Sequence, residues 1–244
     1  MDNNNLNFKI GNQPGLAQTT ETKSFLSGVF SWMGIALAIS AVTAYVFGTD
    51  MSYMSYLINT ESGGLSGLGY VVMFAPLGMV LLMGMGFNKM SAAMMTGVFL
   101  LYSVIMGISL SFIFIAYTQA VIYQVFFISA AMFGTMALVG YTTKTDLTKL
   151  GSLLFMALIG IIIASLVNMF MKSDGLGYII SFIAVIVFTG LTAYDVQKLK
   201  NLGTTVEGGT ETTAKLSILG ALTLYLDFIN LFLALLRIFG GKRS

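Results

Sequence analysis

Seven apolar stretches, each close to the ~20 residues that a membrane-crossing helix needs, run through this chain. They are Phe25–Phe47, Gly67–Phe87, Ala92–Tyr117, Ala120–Tyr141, Leu150–Met171, Tyr178–Lys198 and Ala214–Phe239. Hydrocarbon offers the backbone no water to bond to, so each stretch must close its hydrogen bonds within itself, as a helix does. The predicted fold is an all-α polytopic membrane protein with seven transmembrane helices. Only Thr118 and Gln119 separate the third and fourth stretches, yet together these are about twice a bilayer in length and read as two spans.

Charge follows the same plan. Charged residues make up 9% of the chain, against about 25% in a soluble domain. Asp50, Glu61, Lys89, Lys144, Asp146, Lys149, Lys172 and Asp174 fall between the stretches. Within the membrane zone only two carboxylates remain, Asp195 and Asp227. The net charge of +2 and the lack of a basic arm give no argument for nucleic acid. The chain has no Cys and no His, which excludes disulfides, thiolate catalysis, His/Cys zinc sites and Ser-His triads. Carboxylates, amides, hydroxyls and carbonyls are left, and these suit protons and hard cations. Met79, Met83, Met85, Met90, Met94 and Met95 cluster near the end of the second span. Without Cys or His beside them they read as packing residues rather than a copper(I) site.

Residues 1–24 are expected to be a polar disordered tail, without a cleavable signal peptide because no apolar run precedes Phe25. Residues 25–239 form the seven-helix domain and 240–244 a short basic tail. Lys9, Lys23, Lys89, Lys144, Lys149, Lys198, Lys200 and Lys215 lie on the N-terminal side, against Lys172, Arg237, Lys242 and Arg243 opposite. This bias predicts a cytoplasmic N-terminus and, after seven spans, an external C-terminus. Gly34, Ala38, Ala41, Gly78 and Gly84 read as places where helices approach closely, and Pro76 as a possible kink. Asn201–Thr213 reads as a mobile loop joining the two Asp-bearing helices.

The last span, from Leu216 to Arg237, is apolar almost all round. Gly220, Thr223, Asp227, Asn230 and Ala234 step by three or four and form one narrow stripe. Such a helix belongs inside a bundle with its stripe turned from lipid. A carboxylate at that depth costs about 2.5–3.5 kcal/mol on insertion scales, so Asp227 needs something to face. Asp195, with Thr192 three positions before it on the same face, is the candidate. Two carboxylates in a low-dielectric site cannot both ionise cheaply and would share a proton. Their depths match only if the seventh helix begins beyond the bilayer on the cytoplasmic side. The alternatives are an interfacial Asp195 paired with Lys198 or Lys200, and an Asp227 that bonds a neighbouring helix for stability alone.

Thr192-Ala193-Tyr194-Asp195-Val196-Gln197-Lys198 and Leu222-Thr223-Leu224-Tyr225-Leu226-Asp227-Phe228-Ile229-Asn230-Leu231-Phe232 resemble the last two helices of the Bax inhibitor family, in its bacterial form. The resemblance extends over nearly everything after the N-terminal tail. It implies six helices around a central seventh, and a pH-sensing pair at Asp195 and Asp227 near the cytoplasmic mouth of a closed pore. It also implies a pH-dependent calcium leak, with calcium as permeant ion or held at Asp195 and Asp227, supported by Asn230, Thr192, Thr223 and Lys89. No resident cofactor is implied, and the setting would be a bacterial inner (plasma) membrane. Some relatives carry an Arg latch near the end of the second helix. This chain has Gly86-Phe87-Asn88-Lys89-Met90 there, and Lys89 is a point charge rather than a planar fork.

Other functions fit less well. An intramembrane aspartyl protease also pairs Asp residues on adjacent spans, but Leu224-Tyr225-Leu226-Asp227 replaces the expected Gly-x-Gly-Asp and no Pro follows Pro76. The chain is therefore not expected to be an enzyme. A retinal receptor needs a Lys in the middle of the last span, whereas Lys215 stands at its start. A non-conducting regulator that binds other membrane proteins remains the alternative to a channel.

Overall fold

A computed structural model describes residues 14–59, 63–206 and 208–240. Nine helices and one small hairpin occur among them: α1 (Pro14–Thr49), α2 (Met51–Leu57), β1 (Ile58–Asn59), β2 (Gly64–Leu65), α3 (Gly67–Met85), α4 (Ala92–Leu110), α5 (Ile113–Ala116), α6 (Gln119–Thr142), α7 (Thr148–Met171), α8 (Asp174–Gly203) and α9 (Glu211–Phe239). Seven helical segments are long and apolar enough to cross a membrane, and they coincide with the seven apolar stretches. The third runs through α4 and α5, with a break at Ser111, whose hydroxyl bonds back to the Ile108 carbonyl at 2.6 Å. The hairpin pairs Ile58 with Leu65 and Asn59 with Gly64.

Side chains close the helix starts. Ser66, Ser91, Ser173 and Thr210 each accept a hydrogen bond from a first-turn amide of α3, α4, α8 and α9. At the end of α7, Lys172 takes the left-handed conformation (φ 51°) and its amide bonds to the Asn168 carbonyl at 2.7 Å.

α9 is the axis of the bundle. In its most apolar window 72% of residues are buried, against 11% for α7. It packs on α1, α4, α6 and α8, while α7 packs chiefly on α8 and α3 chiefly on α4. Glycine permits two of the close approaches that hold this core. A Cβ on Gly220 would meet Leu199 Cδ2 at 2.7 Å, and one on Gly140 would run into the Ala193 backbone.

Three expectations need correction. Helix α1 begins at Pro14, not near Phe25, so the second half of the supposed tail is helical. Proline suits a first helical turn, and the next turns are held from a distance, because Thr22 and Phe25 pack against Gly203 at the end of α8. The Asn201–Thr213 loop is shorter than expected, since α8 continues to Gly203 and α9 starts at Glu211. Gly34, Gly78 and Gly84 face open space, and Ala38 and Ala41 are exposed, so the close packing falls elsewhere. Residues 1–13, Glu61, Lys242 and Arg243 lie outside the described residues.

Candidate functional site

The two acids meet. Helices α8 and α9 run antiparallel, with Leu199 against Gly220 and, one turn back along α8 and about two turns on along α9, the carboxyl groups of Asp195 and Asp227 within hydrogen-bonding reach of each other. The mismatch in depth is absorbed in two ways. α9 begins at Glu211, about 24 Å before Asp227 at 1.5 Å per residue. Cα–Cβ bonds also tilt toward a helix N-terminus, so on antiparallel helices the two side chains lean toward one another.

Both acids are buried, Asp195 at 9% exposure and Asp227 at 5%. An ionised carboxylate only accepts hydrogen bonds, so a hydrogen bond between the two needs a proton on one of them. Asp227 Oδ2 has no hydrogen-bond partner among the described residues. Lys198, one turn along α8, is exposed and close enough to attract the Asp195 carboxylate. Its Nζ stands 6.0 Å from the centre of the Tyr194 ring. Lys200 is occupied elsewhere, donating to the Tyr141 carbonyl at 2.7 Å.

The pair opens into a cavity of ≈ 1110 Å³ between α3, α4, α7, α8 and α9. Thr223 and Asn230 line it with the acids; the Thr223 hydroxyl donates to the Leu219 carbonyl at 3.1 Å, and one Asn230 amide proton goes to the Leu226 carbonyl at 2.8 Å. Their oxygen lone pairs and the second Asn230 amide proton are what the cavity can use. Thr192 is fully buried, donates to the Phe188 carbonyl and is not part of the lining. Lys89 is exposed in the α3–α4 turn and does not reach the acids, so it is no latch here. The cation that secures that turn is Lys215 of α9, which donates to the Phe87 and Met90 carbonyls at 3.0 and 3.2 Å.

Two supporting groups escaped the sequence reading. Gln197 accepts from the Leu147 amide and donates to the Thr145 carbonyl, both at 2.8 Å, so it fixes the α6–α7 connection beside Asp195. Its place in the Tyr194-Asp195-Val196-Gln197 run was the available signal. On the other side of α9, Ser40 donates to the Ser103 carbonyl at 2.7 Å and so accepts from the Tyr225 hydroxyl at 2.7 Å.

No group of three or more carboxylates among the described residues could enclose a metal. Calcium takes six to eight oxygen ligands, and the two carboxylates with Thr223 and Asn230 are the side-chain oxygens on offer around the pair.

Comparison with known proteins places the chain in a family. The family model described as "Inhibitor of apoptosis-promoting Bax1" matches residues 22–244. This chain belongs to the Bax inhibitor family. It is 48% identical to the inner membrane protein YbhL of Escherichia coli K12, over 91% of this chain and 93% of that one. It is 45% identical to an uncharacterised protein of Borreliella burgdorferi, over 90% and 93% of the two chains. A Rickettsia prowazekii protein is 41% identical over 94% and 97%. As a Bax inhibitor family member with seven spanning helices, the chain is an integral membrane protein.

Proposed function

We propose that this protein is a pH-dependent cation leak channel, with calcium among its permeant ions, rather than an enzyme. Its setting would be a bacterial inner (plasma) membrane, like that named for YbhL. The observation that carries the reading is the contact between the Asp195 and Asp227 carboxyls at the floor of a large cavity in the membrane zone. Intramembrane acids that face a cavity mark ion or proton paths more often than they stabilise a fold.

The pair is the switch. With one proton shared, the carboxyls hold α8 and α9 together. Loss of that proton removes the bond and adds like-charge repulsion in a poorly screened site, whereas gain of a second proton removes the pair's charge and leaves a weaker neutral bond. α9 is the plug of the bundle, so a change in its packing is felt by α1, α4, α6 and α8 at once. The excess of Lys at the end where α1 begins makes that end cytoplasmic and the end of α9 external.

Calcium flux into dye-loaded liposomes holding the purified protein, from about pH 5 to pH 8, tests this reading. Flux that varies with pH, and no longer does so in the Asp195→Asn, Asp227→Asn double mutant, is the expected result. Folded protein without flux above empty liposomes would replace the channel with a non-conducting regulator of other membrane proteins.

A further inference from the structure

The cavity is also open sideways. Leu77 on α3 is 64% exposed, and Phe155, Ile162 and Leu166 on α7 are 58%, 51% and 54% exposed, although all four line the cavity. Its floor is buried: Leu191 and Phe188 of α8 are 5% and 6% exposed, beside the two acids. The space between α3 and α7 is therefore a cleft that faces the bilayer. Its α7 wall runs from Thr148 to Met169, about 32 Å at 1.5 Å per residue, close to the ~30 Å of a hydrocarbon core.

An apolar cleft of ≈ 1110 Å³ exceeds an ordinary small-molecule pocket of about 300–1,000 Å³. Water does not fill apolar space, and a gap open to the bilayer does not stay empty. Polar side chains occur along the cleft, among them Ser109, Ser165 and Asn230, but Lys198 is the one basic residue in its lining. Thr148, Ser152 and the exposed Lys198 stand at one end, where α7 begins and α8 approaches its end. A long apolar trough with a cation and two hydroxyls at its interfacial end complements a lipid with a phosphate head.

We propose that the α3–α7 cleft holds one acyl chain of a bilayer phospholipid, which lies over the Asp195–Asp227 pair with its phosphate on Lys198. The carboxyl groups then have no open path sideways into the bilayer. Asp195 competes for Lys198, but Lys198 has length and exposure enough to turn outward. The site is independent of whether the protein conducts.

Phosphatidylglycerol with a diazirine in mid-chain, in liposomes with the full-length protein, tests this by mass-spectrometric mapping of its adducts. Adducts are expected on the floor residues Leu191 and Leu226, in addition to outward residues such as Phe127 and Ile186. Excess unlabelled phosphatidylglycerol should remove the floor adducts, while diacylglycerol, which has no phosphate, should not. Lys198→Gln should lower floor labelling several-fold and leave Phe127 and Ile186 labelled as before, and Lys198→Arg should restore it. Adducts confined to outward faces would overturn the proposal. So would floor labelling that Lys198→Gln leaves unchanged, or that diacylglycerol displaces equally well.

Discussion

Leu199 of α8 rests on Gly220 of α9, and this contact sets the register in which Asp195 and Asp227 meet deeper in the bundle. A Cβ on Gly220 would lie 2.7 Å from Leu199 Cδ2 and 3.2 Å from Val29 Cγ2. Gly220→Leu should therefore overpack the centre of the bundle and cost about 1–3 kcal/mol. Gly34→Leu meets nothing within 4 Å and should stay within about 0.5 kcal/mol. Denaturant unfolding of the purified variants in detergent checks both, and equal losses would remove the register argument.

The carboxyl pair should respond to removal of either acid. Asp227→Asn keeps the volume and can still hydrogen bond to Asp195, so folded protein is expected. It can no longer exchange a proton, so the pH dependence of leak should be lost. An unchanged pH profile in the liposome assay would sink the paired sensor.

The legible and illegible parts of this fold divide by range. The seven spans could be read because lipid forces each to satisfy its own backbone, so local composition decides them. Asp195 and Asp227 stood out as the only acids in that zone. What holds them could not be read. Gly34 and Gly220 look alike in a sequence, but one faces open space and the other Leu199. Helix α1 extends back to Pro14 through a polar segment without apolar periodicity, because Thr22 and Phe25 find Gly203 some 180 residues away. Lys89 is the cation nearest in sequence to the place of the Arg latch of some relatives, yet it is Lys215 that reaches that turn, from α9.

That difference between the two lysines can be measured. The bonds from Lys215 to the Phe87 and Met90 carbonyls are charge-assisted and partly buried. Lys215→Met should cost about 1–3 kcal/mol. Lys89 is exposed, and Lys89→Met should change stability by less than about 0.5 kcal/mol and leave the pH profile of leak as it is. Unfolding in detergent and the liposome assay read the two effects separately.

The hydrogen bonds around Ser40 predict coupling across the bundle. Tyr225→Phe removes one donor from Ser40, and Ser40→Ala strands the Tyr225 hydroxyl and leaves the Ser103 carbonyl with its helical bond alone. The second change should be the more costly, because it leaves the buried Tyr225 hydroxyl without a partner. A double-mutant cycle on stability should give a coupling of about 0.6–1.7 kcal/mol, the range found between membrane helices. Additive losses would mean that Tyr225 is held by packing against Tyr102, whose ring lies edge-on at 5.4 Å, and not by Ser40.

Asp146 gives a pH test outside the membrane zone. Its carboxylate accepts from the Thr148 hydroxyl at 2.6 Å and the Thr148 amide at 2.9 Å, at the start of α7. These bonds, with a smaller contribution from Lys149, hold its pKa below the ordinary value of 3.8. A depressed pKa means that the folded state binds the proton less readily than the unfolded chain. The stabilisation is therefore fully present above the unfolded value and is lost as pH falls through the lower folded value. Wild type should be more heat-stable than Asp146→Asn at neutral pH, and the gap should close as pH is taken below that folded value. Because Asp146 is fully exposed, the gap should be small and should shrink with added salt. A gap that persists unchanged in strong acid would mean that the carboxylate form is not what closes the start of α7.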